Sequence, residues 1–346
     1  MMWKMLVGGI YDMKIAVFFR RLASGSLKRL FRNLEIVHQE SGKNRVLLFL
    51  DMIYCMFAYE VGYLDYLTFG FAYIKKDKRK TFMTMSDNIA LTRRMNQRDA
   101  YDVFEDKTVF YNQFSEYLHR SFLDLRQSNP EVFAEFCRGK DAIFAKVPVS
   151  YGGSGVRKIR IAEHNLEELF NELMDNGMYL VEDVIEQHPE MSKLCARSVN
   201  TIRIVTVVSD RGNPTMVYSL VRIGSGDNDV DNICSGGMYT LLSPDGEITH
   251  SAFCDKTVCY YDNHPANGHP FIGFRIPYFH EAVELCKRAA LEEPRMRYIG
   301  WDVAITPQGP ALVEGNILPG YDMCQNHRFH DDGCGILPAF EEAIRN

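Results

Sequence analysis

Along the first hundred residues apolar positions recur at three- and four-residue spacing, the period of a helix with one buried face. In residues 13–34 the series Ile15, Phe18, Phe19, Leu22, Leu27, Leu30, Phe31 and Leu34 keeps that spacing with basic residues between. The most apolar stretch, residues 46–74, contains Asp51, Glu60 and Asp65 and nowhere offers the ~18–20 uncharged residues of a membrane span. It reads as a buried helix pair. Further helices are expected over residues 88–106, behind a Ser86 or Asp87 cap, and over 108–126, ending near Asn129-Pro130.

Beyond residue 142 the period changes. Residues 142–149 are a β-type run, Tyr151-Gly152-Gly153-Ser154-Gly155 follows, and over 156–161 apolar residues alternate with basic ones. That pattern predicts a hairpin with a glycine-rich tip. A helix over 165–176 and a strand over 178–185 come next. The β-branched runs 199–209 and 215–223 flank Asp210-Arg211-Gly212-Asn213-Pro214 and predict a second hairpin. Residues 224–274 suggest short strands in long loops, and 278–291 a helix. Residues 298–305 and 311–315 predict a third hairpin around Thr306-Pro307-Gln308-Gly309-Pro310. The expected organisation is a mainly helical region over 1–105, then an α+β body of antiparallel sheets over 106–346, divided near residue 185.

Charge refines this picture. The 346 residues carry a formal net charge of −6, which argues against a nucleic-acid binder driven by bulk charge. Residues 1–50 hold nine Lys or Arg against three acids, so a basic arm precedes an acidic body. The arm suits either an anionic membrane surface or docking on its own protein. Nine cysteines without a CxxC pair point to reduced thiols and a cytoplasmic protein, and Asp12 with Arg20-Arg21 interrupts any signal-peptide core.

The chemistry-bearing residues cluster on the hairpins. Glu314 and Asn316 share a strand face, and a turn centred on Gln308 sets Asp302 opposite Glu314. Two facing carboxylates repel unless a cation lies between them, and two carboxylates with an amide form a hard oxygen set suited to Mg²⁺. The glycine-rich tip fits neither a dinucleotide fingerprint nor a Walker loop, yet its N–H groups suit phosphates, with Lys146 at its entry. Asn200, Thr201, Arg203, Arg222, Asn232 and Gly236-Gly237 supply cations and amides, and arginine within an apolar strand calls for an anionic partner. Cys234 reads as a packed thiol. His250, His264, His269, His327 and His330 are candidates for lining an acceptor site.

In this order the motifs resemble the ATP-grasp superfamily, and in detail its sugar-transfer-associated branch. The resemblance covers residues 100–330. It rests on Asp106-Lys107, Lys146 with Gly152-Gly153-Ser154-Gly155, and Leu180-Val181-Glu182-Asp183-Val184-Ile185. It continues through Ser198-Val199-Asn200-Thr201-Ile202-Arg203, Arg222 and Asn232-Ile233-Cys234-Ser235-Gly236-Gly237. Gly300-Trp301-Asp302 and Val313-Glu314-Gly315-Asn316-Ile317-Leu318-Pro319-Gly320 close it. The resemblance implies two α+β lobes clamping ATP. Lys107 and Lys146 would contact the nucleotide, with main-chain groups of Glu182 and Val184 on the adenine edge and Gln187 at the ribose. Asp302, Glu314 and Asn316 would hold one or two Mg²⁺, or Mn²⁺, and Arg222 with Arg203 would stabilise the transferred phosphoryl group.

The implied activity is amide formation between a carboxylate and an amine through an acyl phosphate, with ADP released, in glycan or secondary-metabolite assembly. A kinase acting on a sugar or other hydroxyl, and a non-catalytic ATP-binding partner of a glycosyltransferase, are the alternatives; the basic arm is the candidate contact for such a partner or for a membrane. The helical first hundred residues depart from the open α/β lobe that precedes many ATP-grasp ligases.

Overall fold

The computed structural model describes residues 27–150, 155–226 and 236–346, and the chain divides into two compact units. The first comprises residues up to Ser86 together with Gln325–Gly335; the second comprises Asp87–Cys324 and Ile336–Asn346. The boundary thus precedes the expected one at residue 105, and a late segment returns to the first unit. No helix among the described residues is long and apolar enough to cross a membrane.

The described part of the first unit is helical, as its apolar period implies. Helices α1 (Leu27–Ser41), α2 (Arg45–Ala58) and α3 (Tyr63–Thr68) pack on an aromatic core that includes Phe69, Phe71 and Phe82. One buried cation organises it. The Arg79 guanidinium donates to both carboxylate oxygens of Asp51, at 2.9 and 2.8 Å, and Tyr66 donates to the same group at 2.8 Å. Gln325 joins this unit by accepting from Met83 N at 2.8 Å and donating to Met83 O at 2.9 Å. The expected buried helix pair is buried on one side only. Leu48, Met52 and Cys55 of α2 face the core, whereas Val46, Leu47, Leu50, Tyr54 and Phe57 are exposed.

The second unit contains two antiparallel sheets. In the smaller, the strand order is β1 (Phe122–Asp124), β4 (Leu180–Asp183), β2 (Ala142–Lys146), β3 (Val156–Arg160). Strand alternation sends Ile143, Ala145, Ile159 and Val181 into one core with the helices α5 (Pro130–Cys137) and α6 (Leu166–Asp175). Asn165 caps α6 by accepting from Glu167 N at 3.0 Å and Glu168 N at 3.2 Å. Lys146 and Glu182 therefore emerge on the opposite face. The helix expected over 108–126 stops early: α4 (Lys107–Gln113) is followed by a short turn of helix to Leu118, and His119 takes a φ of +50°. Residues beyond it form β1, because pairing Phe122 with Glu182 outweighs local helical period.

The larger sheet runs β11 (Gly309–Asn316), β10 (Tyr298–Thr306), β5 (Thr201–Val208), β6 (Pro214–Ile223), β7 (Met238–Leu241), β8 (Ala252–Cys254), β9 (Cys259–Tyr261). One parity fills the core: Ile202, Ile204, Val221, Ile223, Met238, Trp301 and Val303 pack with helix α7 (Phe279–Ala289). The other parity makes a second face. Its far end is covered by helix α8 (Leu337–Arg345), whose Phe340 meets Tyr298 and Tyr218, and its near end carries the polar residues.

Candidate active site

That near end is assembled by register. Glu314 lies opposite Asp302, which lies opposite Arg203, so three charged side chains of adjacent strands form one row. The pairing arises differently from the expected turn. The hairpin closes with Thr306 opposite Gly309, a register that would set Asp302 against Val313; a bulge between Asp302 and Val303 restores Glu314 to that place. It also lets Leu312 point into the core while Glu314, two residues on, faces the site.

Arg203 holds Asp302 in a fork, Nε to Oδ1 at 2.5 Å and Nη2 to Oδ2 at 3.0 Å. Arg222, two residues beyond the partner of Arg203 and on the same face, adds Nη1 to Oδ2 at 3.0 Å. Burial opposes ionisation of Asp302, and the two guanidiniums overcome it, holding the carboxyl below its usual range. Glu314 moves the other way. Burial first and the Asp302 charge second push it up. The Asn316 amide nitrogen stands 3.5 Å from Asp302 Oδ2 and 3.5 Å from Glu314 Oε1. A half-turn of that amide would present Oδ1 and complete a set of hard oxygen donors around the repelling carboxylates. This set fits Mg²⁺, and the Arg222 Nε, buried without a partner among the described residues, fits an anionic oxygen beside it.

Arg203 spends Nε and Nη2 on Asp302, which fixes that carboxylate in the row. Two lysines supply further positive charge, Lys146 from the smaller sheet and Lys107 from α4. Lys146 Nζ is 2.5 Å from Glu182 Oε1 and 3.0 Å from the Tyr111 hydroxyl. Arg120 donates from Nε to Glu182 Oε2 at 2.9 Å, and Tyr111 donates to that oxygen too. Burial disfavours charge on Glu182, but Lys146 and Arg120 prevail and hold it at about 2. Arg120 also donates to Leu312 O at 2.5 Å, tying this network to β11.

Asp106 caps α4 by accepting from Thr108 N at 2.8 Å, which leaves Lys107 on the first turn. Its Nζ donates to Ser150 O at 2.8 Å, at the entry to the glycine-rich tip. Burial and then Lys146 lower its proton affinity, while Glu314 raises it, so both lysines and the acid row share one electrostatic site. Gly155 closes the tip: its φ is +72°, its carbonyl accepts from Val147 N at 2.9 Å, and a Cβ would come within 3.0 Å of Val147 Cγ2. Gly152, Gly153, Ser154 and Asn232, with Cys234, lie outside the described residues.

Other expected residues are placed elsewhere. Gln187 is spent on scaffolding: its Oε1 accepts from Asn200 N at 2.6 Å and its Nε2 donates to Cys195 O at 2.8 Å, which does not suit a ribose contact. At Glu182 the β4 main chain is flanked by strands on both sides, so its contribution is the side chain, not an adenine contact. Val184 follows the end of that strand. His264 is buried and structural, with Nε2 2.9 Å from Gly224 O and Nδ1 accepting from Ala266 N at 3.2 Å. His327 stacks on Tyr73 within the first unit.

Tyr111, Arg120, Tyr239, Asp255 and Asp322 belong to this face or its network without having been expected. Tyr239 sits opposite Arg222 and donates to Asp255 Oδ1 at 3.3 Å. Burial and then Asp322 raise Asp255 to about 6, and burial raises Asp322 as well.

Residues 157–328 match the model of the family described as sugar-transfer associated ATP-grasp. The chain carries this sugar-transfer associated ATP-grasp region over just under half of its length. Its antiparallel lobes are those of an ATP-grasp fold. Among solved structures, the ATP-grasp ligase PsnB complexed with a minimal precursor is 13% identical with a TM-score of 0.43, over 72% of this chain and 63% of that one. The D-alanine-D-alanine ligase from Coxiella burnetii is 11% identical with a TM-score of 0.41, over 70% and 56%. The D-cycloserine synthetase DcsG is 9% identical with a TM-score of 0.42, over 75% and 79%. This ATP-grasp chain thus spans 63% of the length of PsnB. No curated protein matches it.

Proposed function

We propose that the chain is an ATP-dependent carboxylate-amine ligase that activates a carboxylate as an acyl phosphate, releases ADP and passes the acyl group to an amine. The carrying observation is the row Glu314, Asp302, Arg203 with Arg222 beside it, sharing one electrostatic site with Lys146 of the smaller sheet and Lys107 of α4. Bound ATP with Mg²⁺ supplies the phosphoryl group and the cation that draws charge from it. Asp302, Glu314 and Asn316 hold the cation. Arg203 keeps Asp302 ionised and oriented. Arg222 offers its unpartnered Nε to an oxygen of the transferred group, where charge accumulates.

Lys146, pinned by Glu182, presents a fixed positive charge, and Lys107 is held at the entry of the glycine-rich tip. No nucleophilic side chain is required, because the substrate carboxylate attacks and ADP leaves. An attacking amine must then lose a proton. Asp255, held by the Tyr239 hydroxyl at 3.3 Å where Tyr239 lies opposite Arg222, and raised to about 6 by burial and then Asp322, is the acid we assign to this step. An amino acid or uronic acid is the activated acid in this reading, and the sugar-transfer association in the family description motivates its place in glycan or secondary-metabolite assembly.

The test is incubation of the pure chain with Mg²⁺, ATP, pooled amino acids and uronic acids, and hydroxylamine, read by mass spectrometry. ADP with a hydroxamate is the expected result and names the acid. ADP with a phosphorylated hydroxyl and no hydroxamate would favour the kinase, and AMP would overturn acyl-phosphate chemistry.

A further inference from the structure

Helix α2 is apolar nearly all round: of its fourteen residues only Arg45 and Asp51 are charged. Helices of that kind are buried on every side or sit against lipid. Here one side is accounted for. Leu48, Met52 and Cys55 face the core, and Asp51 is neutralised inside by Arg79. On the opposite side Val46, Leu47, Leu50, Tyr54 and Phe57 make a stripe, with Leu47 66% and Leu50 57% exposed. It runs for about 17 Å at 1.5 Å per residue. A stripe of this length facing solvent needs an occupant.

The charges around it select one. Lys76 lies over the Tyr54 ring at 5.8 Å, and exposed Lys28 and Arg29 open the neighbouring α1 beside exposed Leu27. At the start of α2, Lys43 donates to Ala72 O and Arg45 is paired with Glu35 at 2.8 Å, so the net positive charge of the rim rests on the other three. The basic arm, residues 1–26, has four Lys or Arg against one Asp, so it shares the sign of this rim. A second copy would bring the same rim. An anionic lipid surface is the complementary partner: headgroups meet the lysines while the stripe enters the acyl boundary. We propose that the first unit docks on an anionic bilayer surface through the outward stripe of α2, lying in the interface plane.

The test is co-sedimentation of the full chain with vesicles of phosphatidylcholine alone or mixed with phosphatidylglycerol, at low and high salt, alongside the Leu47→Asp, Leu50→Asp double variant. Both side chains are exposed, so the variant keeps its fold by circular dichroism and its ATP affinity. Expected are binding to the anionic vesicles at least about tenfold tighter than to neutral ones, weakening by salt, and a loss of roughly tenfold or more in the variant. Equal binding by the variant would assign the contact to other residues and overturn the proposal. So would absence of vesicle binding, equal binding to neutral vesicles, or a wild-type dimer that the variant converts to monomer in light scattering.

Discussion

The Glu182 carboxylate has three polar contacts from three segments, and nothing in the local pattern of β4 announces them. Its neighbours Tyr111 and Arg120 come from a helix and a loop some sixty to seventy residues away, so the network was invisible in the sequence. Removing its charge strands two buried cations. Glu182→Gln should lower stability by ~3–5 kcal/mol in urea denaturation. The carboxyl sits below its unfolded value, so its contribution is present above the ordinary carboxylate range and is lost as pH falls toward about 2. An acid titration of unfolding should therefore show a limb in wild type that the Gln variant lacks. The arginines divide their work. Arg222→Gln should reduce kcat by ~10²–10³ with stability near wild type, because Asp302 keeps its Arg203 fork. Arg203→Gln should cost about 3 kcal/mol of stability, since Asp302 then retains only the Arg222 contact. Comparing kcat and urea midpoints of both variants checks the division.

At the scale of elements, period and turn chemistry were legible where neighbours in sequence pair with each other. The three hairpins, α6 with its Asn165 cap, and α7 all follow from alternation or helical spacing. The facing of Asp302 and Glu314 was also readable, although the bulge that secures it was not: a one-residue irregularity leaves no mark in hydrophobic period. Strand β1 was misread as helix because its partner, β4, lies more than fifty residues on. Contact between α4 and β11 depends on a residue without a side chain. A Cβ at Gly315 would approach Phe104 Cδ1 to 2.7 Å and Phe110 Cε2 to 3.0 Å. Gly315→Ala should destabilise by ~1–3 kcal/mol and, by displacing α4 with Lys107, weaken ATP affinity; thermal melting and calorimetric titration read the two effects.

Over the whole molecule, composition gave the basic-to-acidic division, but not the return of Gln325–Gly335 to the first unit, which no local signal marks. That return has a consequence for synthesis. A ribosome adding ~5–20 residues per second needs on the order of 10–50 s to pass from residue 86 to residue 335. During that interval the main chain of Met83 lacks the amide of Gln325, and Gly70 lacks the imidazole of His327 that leaves no room for a Cβ there. The unit that begins first is completed only after most of the second has been made. Nascent chains stalled before residue 325 should be cleaved by protease within residues 27–86, and chains extended past residue 346 by a linker long enough for Gln325–Gly335 to leave the tunnel should resist. Translation order thus makes the first unit dependent on a late stretch of message.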